Sequence, residues 1–293
     1  MGAHSHDNID WDAHLQRLRA ADDFIAPDIT QVIGRLLRPD DRSVIEIGAG
    51  AGGTAAIIAK TLAAHGDDGQ LTVVDTAEQL LNAAGERAAA DGVEVRTVRA
   101  DAAADTLAEE IEKTGATPQA DLVYAAFVVH HLPDQLAGLR RLARLVKPGG
   151  RLAVVEFGLQ TRVLPADIGL GEPGLEARLL NASEQWFQKM RSEMDGAVRL
   201  PMGWSKAMTE AGLVEATSFS YLIDRPAPLD DTGRAAAIRQ LAMLRRDADE
   251  RLPAADVEVL DQLLDPDGEH YAGNRDDLHY LSANTVHVGT KPS

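Results

Sequence analysis

The chain has 293 residues, enough for one large domain or a domain with a cap, and its charged and apolar fractions are those of an ordinary globular protein. A formal charge of −17 leaves no basic face for phosphate neutralisation and argues against nucleic acid as a substrate. Cysteine is absent, which excludes disulfides, thiolate metal sites and a cysteine nucleophile. No apolar run approaches the length of a membrane span, and residues 1–10 lack the basic-then-apolar layout of a signal peptide, so a cytoplasmic protein is expected.

Two amphipathic helices are expected first. Asp10 or Asp12 starts one, with Trp11, Leu15 and Leu18 on one face. Pro27 fits the first turn of the other, which runs to about Leu37 with Ile29, Val32, Ile33 and Leu36 apolar. Residues 43–54 then read Ser-Val-Ile-Glu-Ile-Gly-Ala-Gly-Ala-Gly-Gly-Thr. Val44, Ile45 and Ile47 suit a strand covered on both faces, and the glycines remove Cβ atoms that would hold a ligand off the backbone. Helix-prone residues from Thr54 to His65 open the turn onto a helix N-terminus with unpaired N–H donors.

From Ser43 to Phe157 strands near 43–47, 71–75, 93–99, 120–127 and 151–157 alternate with helices near 53–65, 77–91, 103–114 and 134–146. This rhythm implies a parallel sheet with right-handed crossovers. Asp75 closes the second strand at about the spacing of a ribose acceptor, and Asp101 closes the third, where an adenine amine would need an acceptor. Each acid alone can equally be a turn or helix cap. Lys147-Pro148-Gly149-Gly150 reads as a turn that ends a helix and reverses into the next strand. Beyond Phe157 the rhythm breaks. A helix at 174–194, a helix at 203–211, a strand at 214–222, a helical stretch at 230–264 and a short final strand at 284–290 are expected.

Gly48-x-Gly50-x-x-Gly53 also satisfies the dinucleotide fingerprint, so an NAD(P)-dependent Rossmann oxidoreductase is an alternative. Glu46, two residues before the first glycine, opposes a pyrophosphate and suits a ligand with a positive amino or sulfonium group. No Tyr-x-x-x-Lys pair is present, since Tyr221 and Tyr280 lack a lysine four residues on.

The order Glu46-x-Gly48-x-Gly50, Asp75, Asp101, His130-His131-Leu132-Pro133 and Lys147-Pro148-Gly149-Gly150 resembles the small-molecule branch of class I S-adenosyl-L-methionine (SAM)-dependent methyltransferases. Val-Val-His-His-Leu-Pro-Asp at 128–134 is similar to natural-product sugar O-methyltransferases of the rebeccamycin type. The resemblance covers Ser43 to Phe157 closely and the rest loosely. It implies an α/β, Rossmann-like seven-stranded sheet in the order 3-2-1-4-5-7-6, with the last strand antiparallel, helices on both faces and a helical lid. The domains would be an N-terminal helical cap at 1–40 and a SAM-binding domain at 41–293, with lid insertions at about 158–200 and 230–264. It also implies SAM as cofactor and S-adenosyl-L-homocysteine as product. Glu46, Gly48, Ala49, Gly50, Gly53, Asp75, Thr76, Asp101, Ala102 and Phe127 would line the cofactor. The partner would be a small-molecule acceptor in specialised metabolism, methylated on oxygen in preference to nitrogen or carbon. Nucleic acid and membrane are not expected as partners, and the chain would be a monomer or homodimer.

No metal is expected. The magnesium-dependent catechol type needs hard oxygen ligands after the fourth strand, where this chain has Phe127 to Leu132. The Asn-Pro-Pro-Tyr signature of amino- and adenine-directed enzymes is also missing there. Methyl transfer to a hydroxyl needs alignment and removal of a proton. His130 and His131, at the strand's C-terminal rim, can act as that base, line the pocket or cap the next helix. Glu156 can orient a histidine, bind a substrate hydroxyl or pair with an arginine. Trp11, Phe24, Trp186 and Trp204 can wall an aromatic acceptor or belong to the core. His4 and His6 make a poor metal site, and Arg245-Arg246 reads as a solvated face. A SAM-binding scaffold that has lost catalysis is a further alternative.

Overall fold

The computed structural model describes residues 10–66, 68–89, 92–248 and 251–293, so His4 and His6 lie outside the described residues. Asp10 caps the first helix, its Oδ1 accepting from the Ala13 N–H at 3.1 Å. Where two helices are expected, a single one runs Trp11–Leu36 (α1) with Pro27 inside it. An interior proline costs a helix about 3 kcal/mol through the lost i→i−4 bond and a ring clash. Here Pro27 is exposed, while Phe24 before it and Ile29, Val32, Ile33 and Leu36 after it are buried on one stripe. Packing of that stripe outweighs the local penalty.

Strands Ser43–Ile47 (β1), Gln70–Asp75 (β2), Glu94–Arg99 (β3) and Ala120–Ala126 (β4) alternate with helices Gly53–His65 (α2), Glu78–Ala89 (α3) and Leu107–Lys113 (α4). Helix Gln135–Arg144 (α5) leads into the long strand Val146–Arg162 (β5). Lys147-Pro148-Gly149-Gly150 is not a turn before that strand but an irregularity within it. Val146 pairs with Ala120 and Arg151 with Leu122, and Gly149 takes φ +76° inside the bulge. The glycine absorbs the extra residues without ending the strand.

Helices Leu175–Glu193 (α6) and Trp204–Glu210 (α7), strand Val214–Arg225 (β6), helices Asp231–Ala248 (α8) and Ala254–Leu264 (α9), and strand Tyr280–Thr290 (β7) complete the chain. The seven strands are ordered β3-β2-β1-β4-β5-β7-β6. The β1, β2, β3, β4 and β5 pairings are parallel. The last strand runs antiparallel: Gly149, early in β5, bonds to Lys291 just past β7, and Thr161 late in β5 meets Ser282 early in β7.

The chain divides into two compact units. The first holds residues up to Phe157 with Asp195–Tyr221 and Thr285–Ser293; the second holds Gly158–Met194 and Leu222–Asn284. In the first unit strand parity assigns the layers. Val44, Val73, Tyr124 and Val155 pack with residues of α1, α2 and α3, while Ile45, Ile47, Val123 and Val154 pack with residues of α4, α5 and α7. The second unit has its own core, with Leu179 and Leu180 of α6, Leu241 and Leu244 of α8, and Leu260 and Leu263 of α9.

Candidate active site

The glycine turn sits at the C-terminal end of β1. The Gly48 and Ala49 N–H groups both donate to the Val74 carbonyl, at 2.7 and 3.3 Å, which folds the turn over the end of β2. Gly48 has φ +73°, and a Cβ there would lie 2.4 Å from Val128 Cγ2, so this glycine serves packing. Gly50 differs. Its φ is +54°, yet a Cβ on it would meet nothing within 4 Å. Open space over a backbone that excludes side chains is what a ligand cradle requires.

Asp75 is half-buried and fixed by two backbone donors, with Oδ2 accepting from Gly50 N–H at 3.1 Å and Oδ1 from Ala77 N–H at 3.2 Å. Thr76 beside it is exposed, and its carbonyl accepts from Arg99 Nε–H at 3.1 Å. Asp101 is exposed and closes a turn, with Oδ1 accepting from Ala103 N–H at 2.7 Å; Ala102 is buried. The capping role open to Asp101 is therefore present, on one of its two oxygens. Phe127, just past the end of β4, has φ +56°, a strained value for an aromatic residue, and its N–H donates to Val155 O at 2.9 Å.

Glu46 has the same parity as Val44, so its side chain enters the layer covered by α1 and α2. It is 3% exposed, and its Oε2 has no hydrogen-bond partner among the described residues. Burial, helped by the charges of Asp22 and Asp75, pushes its carboxyl up to about 8. A buried acid without a partner is costly, and a cation arriving there would relieve the cost.

Asp22, on α1, reaches the end of the glycine turn, a contact that the sequence reading missed. Its Oδ2 accepts from Gly53 N–H, the first residue of α2, at 2.9 Å, and from Arg87 Nη1 of α3 at 3.2 Å. A Cβ on Gly53 would come within 2.4 Å of Asp22 Cγ, so that glycine admits the carboxylate to the helix end. Desolvation raises the Asp22 pKa against the opposing pull of Arg87 and the Gly53 N–H.

His130 and His131 occupy a single 3₁₀ turn, Val129–His131, after β4. The structure brings His130 and Glu156 together. Glu156, 2% exposed near the middle of β5, accepts from the His130 backbone N–H at 3.2 Å and meets the His130 Nδ1 at 2.6 Å. His131 is exposed, its ring centroid 4.0 Å from that of His130. Phe157, which the sequence reading also passed over, lies 4.9 Å from His130 and 5.1 Å from Phe127 between ring centroids and is 62% exposed. The aromatic residues singled out in the sequence are dispersed instead. Phe24 is buried in α1, Trp11 lies edge-on to His14, Trp204 packs against the α5–α7 core, and Trp186 belongs to the second unit. Among the described residues no group of three or more acids or histidines is placed to hold a metal ion, and no helix is long and apolar enough to cross a membrane.

A family described as a methyltransferase domain matches residues 45–152. The ubiquinone/menaquinone biosynthesis C-methyltransferase UbiE of Shewanella woodyi is 32% identical over 109 residues, 36% of this chain and 40% of the relative. The 27-O-demethylrifamycin SV methyltransferase of Amycolatopsis mediterranei is 31% identical over 134 residues, 46% of this chain and 43% of the relative. The chain thus spans less than half the length of these curated relatives. Among solved structures, the YcgJ protein of Bacillus subtilis aligns with a TM-score of 0.50 at 16% identity, covering 90% of this chain and 98% of that one. An O-methyltransferase family protein from Burkholderia thailandensis aligns with a TM-score of 0.50 at 14% identity, covering 98% of this chain and 61% of that one. Those two likenesses concern the fold alone. With the sheet order and the glycine turn, the matched segment identifies residues 45–152 as a methyltransferase domain of the class I, Rossmann-like type.

Proposed function

We propose that this protein transfers a methyl group from S-adenosyl-L-methionine to a small-molecule acceptor in specialised metabolism, with a hydroxyl as the favoured acceptor group. The observation that carries the reading is the Glu46 carboxyl, buried and with one oxygen unpartnered, at the base of a turn whose Gly50 faces open space. An ammonium arriving there draws the carboxyl into its charged form and relieves the cost of its burial, a gain that a pyrophosphate does not offer. The two relatives, named for a quinone-pathway C-methyltransferase and a rifamycin methyltransferase, support a small-molecule acceptor.

When bound, SAM supplies an electrophilic methyl carbon on a sulfonium. Asp75, already oriented by Gly50 and Ala77, receives the ribose hydroxyls, and Glu46 serves the amino group. Gly48, Ala49, Gly50, Gly53 and Thr76 border the cofactor. Asp101, through the oxygen its turn does not use, and Ala102 and Phe127 face the adenine. His130 takes the acceptor's proton. With Nδ1 donating to Glu156, Nε2 is the basic nitrogen, and Glu156 neutralises the imidazolium that results. Glu156 is a positioning residue, and His131 lines the rim. In this reading the protein acts in the cytoplasm as a monomer or homodimer.

Calorimetric titration tests the cofactor assignment: SAM binds and NAD does not. Tight NAD binding without SAM binding overturns it. Binding without turnover on any hydroxylated acceptor would leave the scaffold alternative.

A further inference from the structure

Three acids from three separate elements converge on the glycine turn: Glu46 from β1, Asp75 from β2 and Asp22 from α1. Asp75 holds Gly50 N–H and Asp22 holds Gly53 N–H. These are amides that a dinucleotide-binding turn directs at a pyrophosphate. The charged groups facing Asp22 are Arg87 of α3, its own neighbour Asp23, and Glu46. Arg87 is shared with Asp23, so one guanidinium serves two carboxylates and the turn keeps a negative balance. The second, independent sign of a ligand is Glu46 Oε2, buried and without a partner among the described residues.

We infer that Asp22 is a specificity-determining residue of the cofactor site, which occupies the anion-binding end of α2 and so rejects phosphate-bearing nucleotides while favouring a cofactor whose amino-acid portion presents an ammonium. The inference rests on the SAM reading and adds a residue from outside the glycine motif. A negative charge on Gly53 N–H replaces the phosphate that such a helix end would otherwise attract. The same charge lies within electrostatic reach of Glu46, so the ammonium of the ligand meets two acids instead of one. α1 thereby takes part in cofactor choice.

The test uses the full chain and two ligands that differ only in the amino-acid portion, S-adenosylhomocysteine and 5′-deoxy-5′-methylthioadenosine, with NAD as a third. Asp22→Asn is expected to weaken S-adenosylhomocysteine about tenfold, to leave methylthioadenosine within about twofold, and to bring NAD affinity up. Asp22→Asn keeps a carbonyl oxygen able to accept from Gly53 N–H, Asp22→Ser removes both that oxygen and the charge, and the same pattern is expected of the two. Asp22→Ser also carries the test if the asparagine variant fails to fold. Wild-type affinity for S-adenosylhomocysteine in Asp22→Ser, or equal weakening of both adenosine ligands, would reduce Asp22 to a helix cap and overturn the inference. Failure of the wild-type protein to bind any adenosine ligand would instead overturn the SAM reading itself.

Discussion

Replacing Glu46 by glutamine removes a buried ionisable group while keeping its shape, and the consequence for stability can be worked from its surroundings. The carboxyl is 3% exposed and its folded-state pKa lies near 8, against 4.5 for the free group. Between those limits the folded protein holds a proton that the unfolded chain has released. Stability therefore falls as pH rises from about 4.5 to about 8 and levels off above that. At about 1.4 kcal/mol per pH unit, the whole window amounts to a loss on the order of 5 kcal/mol. Glu46→Gln lacks this titration. Its melting temperature should match that of wild type near the acid end of the window and exceed it at the alkaline end. Comparing the two proteins cancels every titration they share. Parallel stability curves across the window would show that Glu46 is solvated or paired, and the argument for a cation at the turn would fall with it.

Two glycines separate fold from ligand. Gly48→Ala drives a Cβ into Val128 and should lower the melting temperature, whereas Gly50→Ala meets no protein atom, incurs only the αL penalty of about 1–2 kcal/mol, and should weaken SAM at least tenfold by calorimetry. His130→Ala should lower turnover by about 10²–10⁴ with SAM affinity nearly unchanged, and Glu156→Gln should lower it less while shifting the pH–rate profile. An unchanged profile in both would leave alignment as the mechanism. Arg151→Ala strands the buried Asp41 that it pairs with, and urea unfolding should register a loss of about 3–5 kcal/mol.

Much of the first unit was legible because each strand announces its face by parity. Val44 and Glu46 alternate with Ile45 and Ile47, and the structure sends the two sets into opposite layers. The glycine turn, the end of β2 at Asp75 and the break after Phe157 followed from local pattern, whereas β3 ends at Arg99 and Asp101 lies in the turn beyond it. What was not legible depended on partners distant in sequence. Pro27 reads locally as a helix start, but the buried stripe on both sides of it carries α1 straight through. Lys147-Pro148-Gly149-Gly150 has the composition of a turn, yet its neighbours in β4 and at the end of β7 hold it as strand. Asp22 reaches Gly53 across 31 positions, and no spacing rule marks an aspartate in an amphipathic helix as a cap for another helix. Glu156 was visible as a residue that could orient a histidine; that the histidine is His130 and not His131 became readable only from the 3₁₀ turn that buries one ring and exposes the other.

The most direct test of the account is a crystal structure with S-adenosylhomocysteine bound. It should place the ribose hydroxyls on Asp75, the amino group over Glu46 beside Asp22, and the sulfur on the side of the turn that faces His130. Density for the ligand away from the glycine turn, or a ribose that leaves Asp75 untouched, would contradict the assignment of this site.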